Sequence, residues 1–400
     1  MRGGLLRCSP ARQHRGPLNA RHKAAELAYI IENADLKVLL TLAGTDEYVD
    51  FVDLIHDALP SLEGSASTSR LALPEAPRLR GVVLIRGEDE ADFIGRSDFD
   101  RLAVGHTCDD VDRQRLCVRV RDTAAILYTS GTTAHPRGCM LSHEAMTRGP
   151  VDRATKRLTT DGRERWTALP YRRARTIARC HWGSGTYLAD TYFEPGRALE
   201  LIARERPTTA WPWFPAAIQA LMDHPSFDAG HFDSLRYMFL IGPRVLIEQV
   251  QGTFRAAELV AACGMTETAG IYALSERSET VAERSGAQGK PAPGIEIRIS
   301  DPETEAEQPL DVPGEILVRG YCATEGYYKN LVKTAEAIDD GRWLHTGDLY
   351  SRNEAGRLAF HGRLKDMLKV GGENVAAIEI EAFLCEHPAV KAAAVIGTSR

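Results

Sequence analysis

The stretch from Tyr128 to His143 reads YTSGTTAHPRGCMLSH and gathers residue types that hold anionic oxygens. Thr129, Ser130, Thr132 and Thr133 offer hydroxyls, Gly131 and Gly138 favour close backbone approach, and Arg137 adds a planar cationic fork. The chemistry of such a set is phosphate handling. It is not the common GxxxxGK[ST] loop, because Gly138 is followed by Cys139 and Met140. A polar surface turn is the plainer alternative for any Ser/Thr/Gly run. The added order of Pro136-Arg137-Gly138 and then Ser142-His143 is what argues against it here.

Such a loop needs elements to present it. Ala124-Ala125-Ile126-Leu127-Tyr128 is a short apolar run bounded by turn-formers, which predicts a buried strand leading into the loop. Ser142 is placed to N-cap a helix starting near His143, with Glu144 in its first turn. The expected geometry is therefore strand, hydroxyl loop, helix. Elsewhere, apolar periodicity predicts a helix around Ala25–Ile31 and a strand over Lys37–Thr41. A helix over Asp46–Leu59, ended by Pro60, and a strand over Val82–Ile85 follow. The acidic segment Gly87–Asp100 reads as a solvated face rather than a metal site. Beyond the loop, helices over Glu144–Leu158, Ala198–Arg206 and Pro215–Met222 alternate with strands over Trp166–Leu169, Thr208–Phe214 and Leu235–Ile241. Repeated β-α units imply a mainly parallel sheet covered by helices, with ligands outside the carboxyl ends of its strands.

The 400 residues, 44% hydrophobic, suffice for more than one domain. A formal net charge of -6 argues against nucleic acid as a partner. No apolar run approaches bilayer length. The eight cysteines show neither CxxC nor zinc spacing and read as reduced thiols, so a cytoplasmic location is expected. The opening MRGGLLRCSPARQHRG, arginine-rich and acid-free, leaves an organelle transit peptide open.

Three later motifs, in order, carry the rest. Leu259–Ala262 predicts a strand running into Cys263-Gly264-Met265-Thr266-Glu267-Thr268-Ala269-Gly270; then come Trp343-Leu344-His345-Thr346-Gly347-Asp348 and Gly362-Arg363-Leu364-Lys365-Asp366 through Gly371-Gly372-Glu373-Asn374. Each alone has a bland reading: a capped turn, a common TGD turn and a basic β-hairpin. Together with the hydroxyl loop they resemble the adenylate-forming (AMP-binding) enzymes, most closely the acyl-CoA synthetases, from about Pro17 onward. Gly289-Lys290-Pro291, Gly314–Gly320 and Gly326-Tyr327-Tyr328 match further motifs of mainly structural type.

The resemblance implies an α/β fold: a multi-layer large domain with mainly parallel sheets and a small β-rich subdomain (17–361), a hinge (362–366) and part of a small α+β domain (367–400). Residues 1–16 stay unassigned. It implies ATP, Mg²⁺ and CoA, with a small carboxylic acid as substrate, activated as acyl-AMP and passed to the CoA thiol. A homodimer is compatible with it. By the same resemblance Thr266 reaches the α-phosphate or the ligand carboxylate, and Glu267, with Thr132, ligates magnesium. Gly242, Gly264 and Met265 line the nucleotide, Asp348 accepts both ribose hydroxyls, and Arg363 touches the ribose. Lys365 is the hinge pivot, and Lys369, Gly371 and Gly372 serve the second half-reaction. The catalytic set is then Thr132, Thr133, Arg137, Glu267 and Lys365.

The chain departs from the family pattern at four places: Ala134 for glycine, Arg137 for lysine, Cys263 for an aromatic that stacks on adenine, and Tyr171-Arg172-Arg173 where a histidine shapes the acyl pocket. Trp211, Trp213 and Phe214 are weak candidates for that pocket's wall. The family's first α/β units and its C-terminal adenylation lysine find no counterpart in these 400 residues. The competing expectation is therefore a truncated, non-catalytic nucleotide- or acyl-adenylate-binding remnant.

Overall fold

The computed structural model describes residues 16–18, 22–43, 49–65, 68, 70–129, 135–149, 165–167, 186–188, 193–213, 215–242, 244–370 and 373–376, with scattered positions beyond. Two compact units result: residues 1–143 with Thr324–Thr334, and Glu144–Ala323 with Ala335–Arg400.

In the first unit, Val38–Thr41 and Gly81–Leu84 pair in parallel. The helix Ala24–Asn33 buries Leu27, Ile30 and Ile31, a one-face spacing, and Phe51–Ala58 buries Val52 and Ile55. Asp50 caps the second helix by accepting from Val52 N at 2.8 Å. Leu39, Leu59, Leu62, Leu79, Val82 and Leu84 close the same core.

The hydroxyl loop is carried differently from the strand–loop–helix expectation. Thr123–Thr129 is a strand and helical residues begin at 143, as expected, but between the loop and that helix Arg137–Ser142 returns beside the first strand as an antiparallel strand. The reason is burial. Cys139 and Leu141 are fully enclosed, and the return strand pairs Leu127 with Cys139, Ile126 with Met140 and Ala125 with Leu141. A helix at 137–142 would leave the ladder groups of the Thr123–Thr129 strand unpaired on that side. Gly326–Tyr327 then pairs with Met140 and Cys139 on the outer edge of the hairpin.

In the second unit, five parallel strands are ordered Thr186–Leu188, Arg165–Thr167, Thr209–Trp213, Tyr237–Leu240, Glu258–Val260. Helices Pro195–Glu205, Pro215–Met222 and Arg244–Thr253 alternate with these strands, and Leu199, Ile202, Ile218, Leu221, Ile247 and Val250 form a core with Met238, Leu240 and Leu259. The β-α alternation in the sequence thus gives the expected parallel sheet. After the parallel sheet, pairing turns antiparallel: Gly270–Leu274 lies between Ala262–Met265 and Lys290–Pro291, and Ile295–Ser300, Gly314–Gly320, Leu344–Arg352 and Leu358–Arg363 form a four-stranded sheet. Met367–Val370 and Glu373–Ala376 form a terminal hairpin. Near the end of the described chain Phe383 and Leu384 are helical and exposed. Among the described residues no helix is long and apolar enough to cross a membrane.

Candidate active site

The first unit supplies the frame of the phosphate loop. Ser130, Gly131, Thr132, Thr133 and Ala134 lie outside the described residues, but both flanks are placed. Thr129 and Arg137 face one another as cross-strand partners at the loop end of the hairpin. Arg137 is half-buried, with its guanidinium carbon 5.7 Å from the centre of the Tyr327 ring. Gly138 is required here: a Cβ would lie 2.8 Å from Ile126 Cγ2 and 3.0 Å from Tyr128 Cζ. The Tyr128 hydroxyl donates to Asn33 Oδ1 at 2.6 Å, and burial pushes its pKa upward. At the loop's far end the His135 ring stacks on Tyr29 with centroids 4.6 Å apart and planes 18° from parallel. The hairpin is therefore fastened to the helix Ala24–Asn33 at two points.

The second unit carries the carboxylates. Gly264 and Met265 end one antiparallel strand, and Thr266–Thr268 make a single 3₁₀ turn. Met265 N donates to the Thr268 hydroxyl at 3.1 Å, and that hydroxyl donates to the Gly270 carbonyl at 2.5 Å. A Cβ at Gly264 would fall 2.0 Å from the same carbonyl oxygen, so only glycine lets the turn close. Glu267 is buried on this turn, at 8% exposure. Gly242 follows the parallel strand Tyr237–Leu240 at its carboxyl end, where α/β sheets bind ligands.

Asp348 lies opposite Arg363 in the four-stranded sheet, and Arg363 Nε is 3.1 Å from Asp348 Oδ1. Burial holds the Asp348 carboxyl above its ordinary range. Arg363 opposes that shift, while the charges of Glu267 and Glu315 add to it. The structure thus brings Glu267, Asp348 and Arg363 into one electrostatic neighbourhood. Lys365 is exposed on the short turn Leu364–Asp366 that follows, and Lys369 pairs with Asn374 in the terminal hairpin. Gly371 and Gly372 lie outside the described residues, as do Tyr171–Trp182, Phe214 and the side chains of Trp211 and Trp213.

Cys263 is buried against Tyr272 and Tyr350, both of which hydrogen-bond its thiol, and burial pushes that thiol up to about 12. The Tyr350 hydroxyl also donates to Gln288 Oε1 at 2.6 Å. Sequence reasoning passed over Glu315, which sits in a stretch taken as structural. Its Oε1 accepts from Gly347 N at 2.9 Å, beside Asp348 in the chain. An acidic residue directly before the apolar run Ile316-Leu317-Val318 was the available signal.

Comparison with known proteins now decides the family. A profile described as AMP-binding enzyme matches residues 15–328. The chain belongs to the AMP-binding enzyme family. A 3-[(3aS,4S,7aS)-7a-methyl-1,5-dioxo-octahydro-1H-inden-4-yl]propanoyl:CoA ligase of Mycobacterium tuberculosis is 31% identical over 95% of this chain and 70% of its own length. The putative acyl-CoA synthetase YngI of Bacillus subtilis is 28% identical, with the same two coverages. For the mitochondrial medium-chain acyl-CoA ligase ACSF2 of Mus musculus the identity is 29%, and this chain spans 63% of that protein's length. Among solved structures, ATP-bound MatB from Rhodopseudomonas palustris superposes with a TM-score of 0.75 at 26% identity, covering 95% of this chain and 70% of MatB. The anthranilate CoA ligase AuaEII shares the fold with a TM-score of 0.78 at 24% identity, covering 96% of this chain and 70% of its own. The α/β architecture expected from the sequence is the one these family members share.

Proposed function

We propose that the chain is an ATP-dependent acid–thiol ligase that activates a carboxylic acid as acyl-AMP and transfers the acyl group to CoA. The observation that carries this reading is the Glu267–Asp348–Arg363 neighbourhood. Two carboxylates are held partly desolvated in one field, with an arginine against the second. A cationic or hydrogen-bond-donating ligand suits like charges kept together this way, because it offsets their repulsion. A ribose diol and a phosphate-bound magnesium supply both. The relatives named as CoA ligases and the ATP-bound MatB neighbour support the same substrates.

In this reading the acid's carboxylate attacks the α-phosphate of ATP and pyrophosphate departs. CoA sulfur then attacks the acyl carbon and AMP leaves. Thr129, Ser130, Thr132, Thr133, the backbone at Gly131 and Gly138, and Arg137 neutralise phosphate oxygens, while Thr266 steadies the α-phosphate. Asp348 takes both ribose hydroxyls as acceptor and Arg363 holds that carboxylate in place. Gly242, Gly264 and Met265 leave room for the base. Lys365 turns at the hinge between half-reactions, and Lys369, Gly371 and Gly372 serve the thiol step. Magnesium fits the chemistry of Glu267, a buried hard-oxygen donor that would hold it with phosphate and water completing the shell; the family resemblance adds Thr132. Bound there, it would offset phosphate charge as pyrophosphate departs.

The test is direct. Purified protein is given ATP, Mg²⁺ and CoA with a panel of medium-chain, aromatic and dicarboxylic acids, and pyrophosphate and acyl-CoA are measured. Carboxylate-dependent release of pyrophosphate with matching acyl-CoA is expected for at least one class. Pyrophosphate release that ignores the acid, or none with any acid, would sink the reading.

A further inference from the structure

We infer that Glu315 is a positioning residue for Asp348, gripping the turn that presents it through the Gly347 amide and the His345 ring. The inference rests on the proposed ribose contact of Asp348 and goes beyond it, to the group that fixes where that carboxylate stands.

Asp348 pairs with Arg363 on one side, but on the Gly314–Gly320 side the ladder is interrupted and something else has to hold the turn. The Gly314–Gly320 and Leu344–Arg352 strands pair at Leu317 with His345 and again at Glu315 with Leu349, and the register shifts in between. Thr346 and Gly347 fall in that shift, outside the regular ladder, and Gly347 adopts φ +71°. Asp348 comes next. Its own amide donates to Thr346 Oγ1 at 3.1 Å, and the Thr346 hydroxyl donates to the Ile316 carbonyl at 2.7 Å. Glu315 closes the other side. One carboxylate oxygen accepts from Gly347 N at 2.9 Å, and the second lies 3.0 Å from His345 Nδ1. A carboxylate only accepts, so Nδ1 carries the proton, and His345 Nε2 points toward Asp339 Oδ2 at 3.8 Å. Asp339 is fixed in turn by accepting from Trp343 N at 2.8 Å.

Electrostatics argue that this arrangement is not there for stability alone. The Glu315 side chain is only 11% exposed, in a strand whose next three residues, Ile316, Leu317 and Val318, are fully buried. An apolar side chain would suit that environment better. The carboxylate instead adds negative charge beside Asp348, which is already repelled by Glu267. Both its oxygens go to residues immediately preceding Asp348. What the turn gains is a fixed amide and a fixed ring, the kind of support that keeps a ligand-contacting group within a fraction of an ångström.

Steady-state kinetics with ATP, 2′-deoxy-ATP and 3′-deoxy-ATP tests it, since only a correctly placed Asp348 senses the ribose hydroxyls. In Glu315→Ala we expect KM for ATP to rise roughly 10- to 100-fold, the usual loss when a supporting partner is removed. KM for the deoxy nucleotides should change little, so the preference for ATP collapses. Glu315→Gln still accepts from Gly347 N and should keep most of the preference. His345→Ala should lose part of it and His345→Asn, which can still donate to Glu315, should restore it. These last two decide the matter should Glu315→Ala fail to fold by thermal melt. A uniform change for all three nucleotides, or a fall in kcat with the preference intact, would overturn the inference. Asp348→Ala separates the two levels. If it keeps the preference for ATP, the ribose reading is wrong; if it loses the preference while Glu315→Ala and His345→Ala keep it, only the positioning role is wrong.

Discussion

In the hairpin around the hydroxyl loop, Arg137 is placed by backbone register opposite Thr129 and rests on the face of Tyr327. In the four-stranded sheet, Asp348 is placed by register opposite Arg363, but it is buried among other carboxylates, and burial and like charge both push its pKa up. The same device, a cross-strand pair, serves opposite electrostatic ends. The cation is kept where solvent and an aromatic face stabilise its charge, ready for an anion. The carboxylate is kept where its charge is disfavoured, so that ligand donors gain more by reaching it. The difference makes the sheet the more fragile half.

The largest expected effect follows from that fragility. Glu267→Gln keeps the shape of the Thr266–Thr268 turn but removes the charge that would hold magnesium. Carboxylate-dependent pyrophosphate release should fall about 10²- to 10³-fold, the scale of losing one preorganised charge-stabilising group. Higher magnesium should recover part of it. A Glu267→Gln enzyme with unchanged activity at limiting magnesium would break the contrast, leaving the carboxylate that repels Asp348 with no metal role.

The hairpin should answer more gently. Arg137→Lys keeps a cation and loses the fork, so KM for ATP should rise only a few-fold, while Arg137→Gln should raise it about 10- to 100-fold, in line with a lost charge-assisted hydrogen bond. Nucleotide titrations of both variants check this. If lysine behaves like glutamine, planar two-point contact matters at this position and the picture of a replaceable charge is wrong.

How much of this was legible beforehand depends on what each feature rests on. The parallel sheet was readable because β-α alternation writes its period into the sequence, as at Ala198–Arg206 and Leu235–Ile241. Gly264, Glu267, Asp348 and Arg363 could be named because their types and order match a family pattern, and of these Asp348 interacts with both Glu267 and Arg363. The return strand Arg137–Ser142 was not, since Gly138-Cys139-Met140-Leu141 fits helix or strand equally over so short a run, and tertiary pairing chose. Cys263 shows the same limit. Position in a motif suggested a ligand-facing residue, but the strand bulge between Cys263 and Gly264 leaves its side chain in the core with Tyr272 and Tyr350. Glu315 escaped because its role depends on Gly347 and His345, some thirty residues away.

The placement of Cys263 makes a prediction about stability. Cys263→Tyr, which would restore the aromatic of the family pattern, has to fit a ring where Tyr272 is 1% and Tyr350 4% exposed. Overpacking of this kind costs about 1–3 kcal/mol. A lower thermal midpoint with no gain in ATP affinity is expected. An unchanged midpoint together with tighter ATP binding would mean that the side chain at this position can turn toward the ligand, and the assignment of the thiol to the core would fall.

The smallest effect probes the charge on Asp348 itself. Its folded pKa is raised above the ordinary aspartate value of 3.8, chiefly by burial. The native state therefore holds its proton more tightly than the unfolded chain does. Between 3.8 and the folded pKa the native state binds more protons, so stability declines as pH rises through that window and remains lower above it. At pH below 3.8 both states are protonated and the penalty is absent. Asp348→Asn removes the ionisation and should raise the thermal midpoint near neutral pH by about 2 °C, an increment that shrinks to nothing as pH falls toward 3.8. Because the same substitution removes the acceptor for the second ribose hydroxyl, it should weaken ATP binding while strengthening the fold. A variant destabilised at neutral pH would show that the Arg363 contact outweighs the repulsion from Glu267 and Glu315, and the sheet would then resemble the hairpin in having its charge favoured before any ligand arrives.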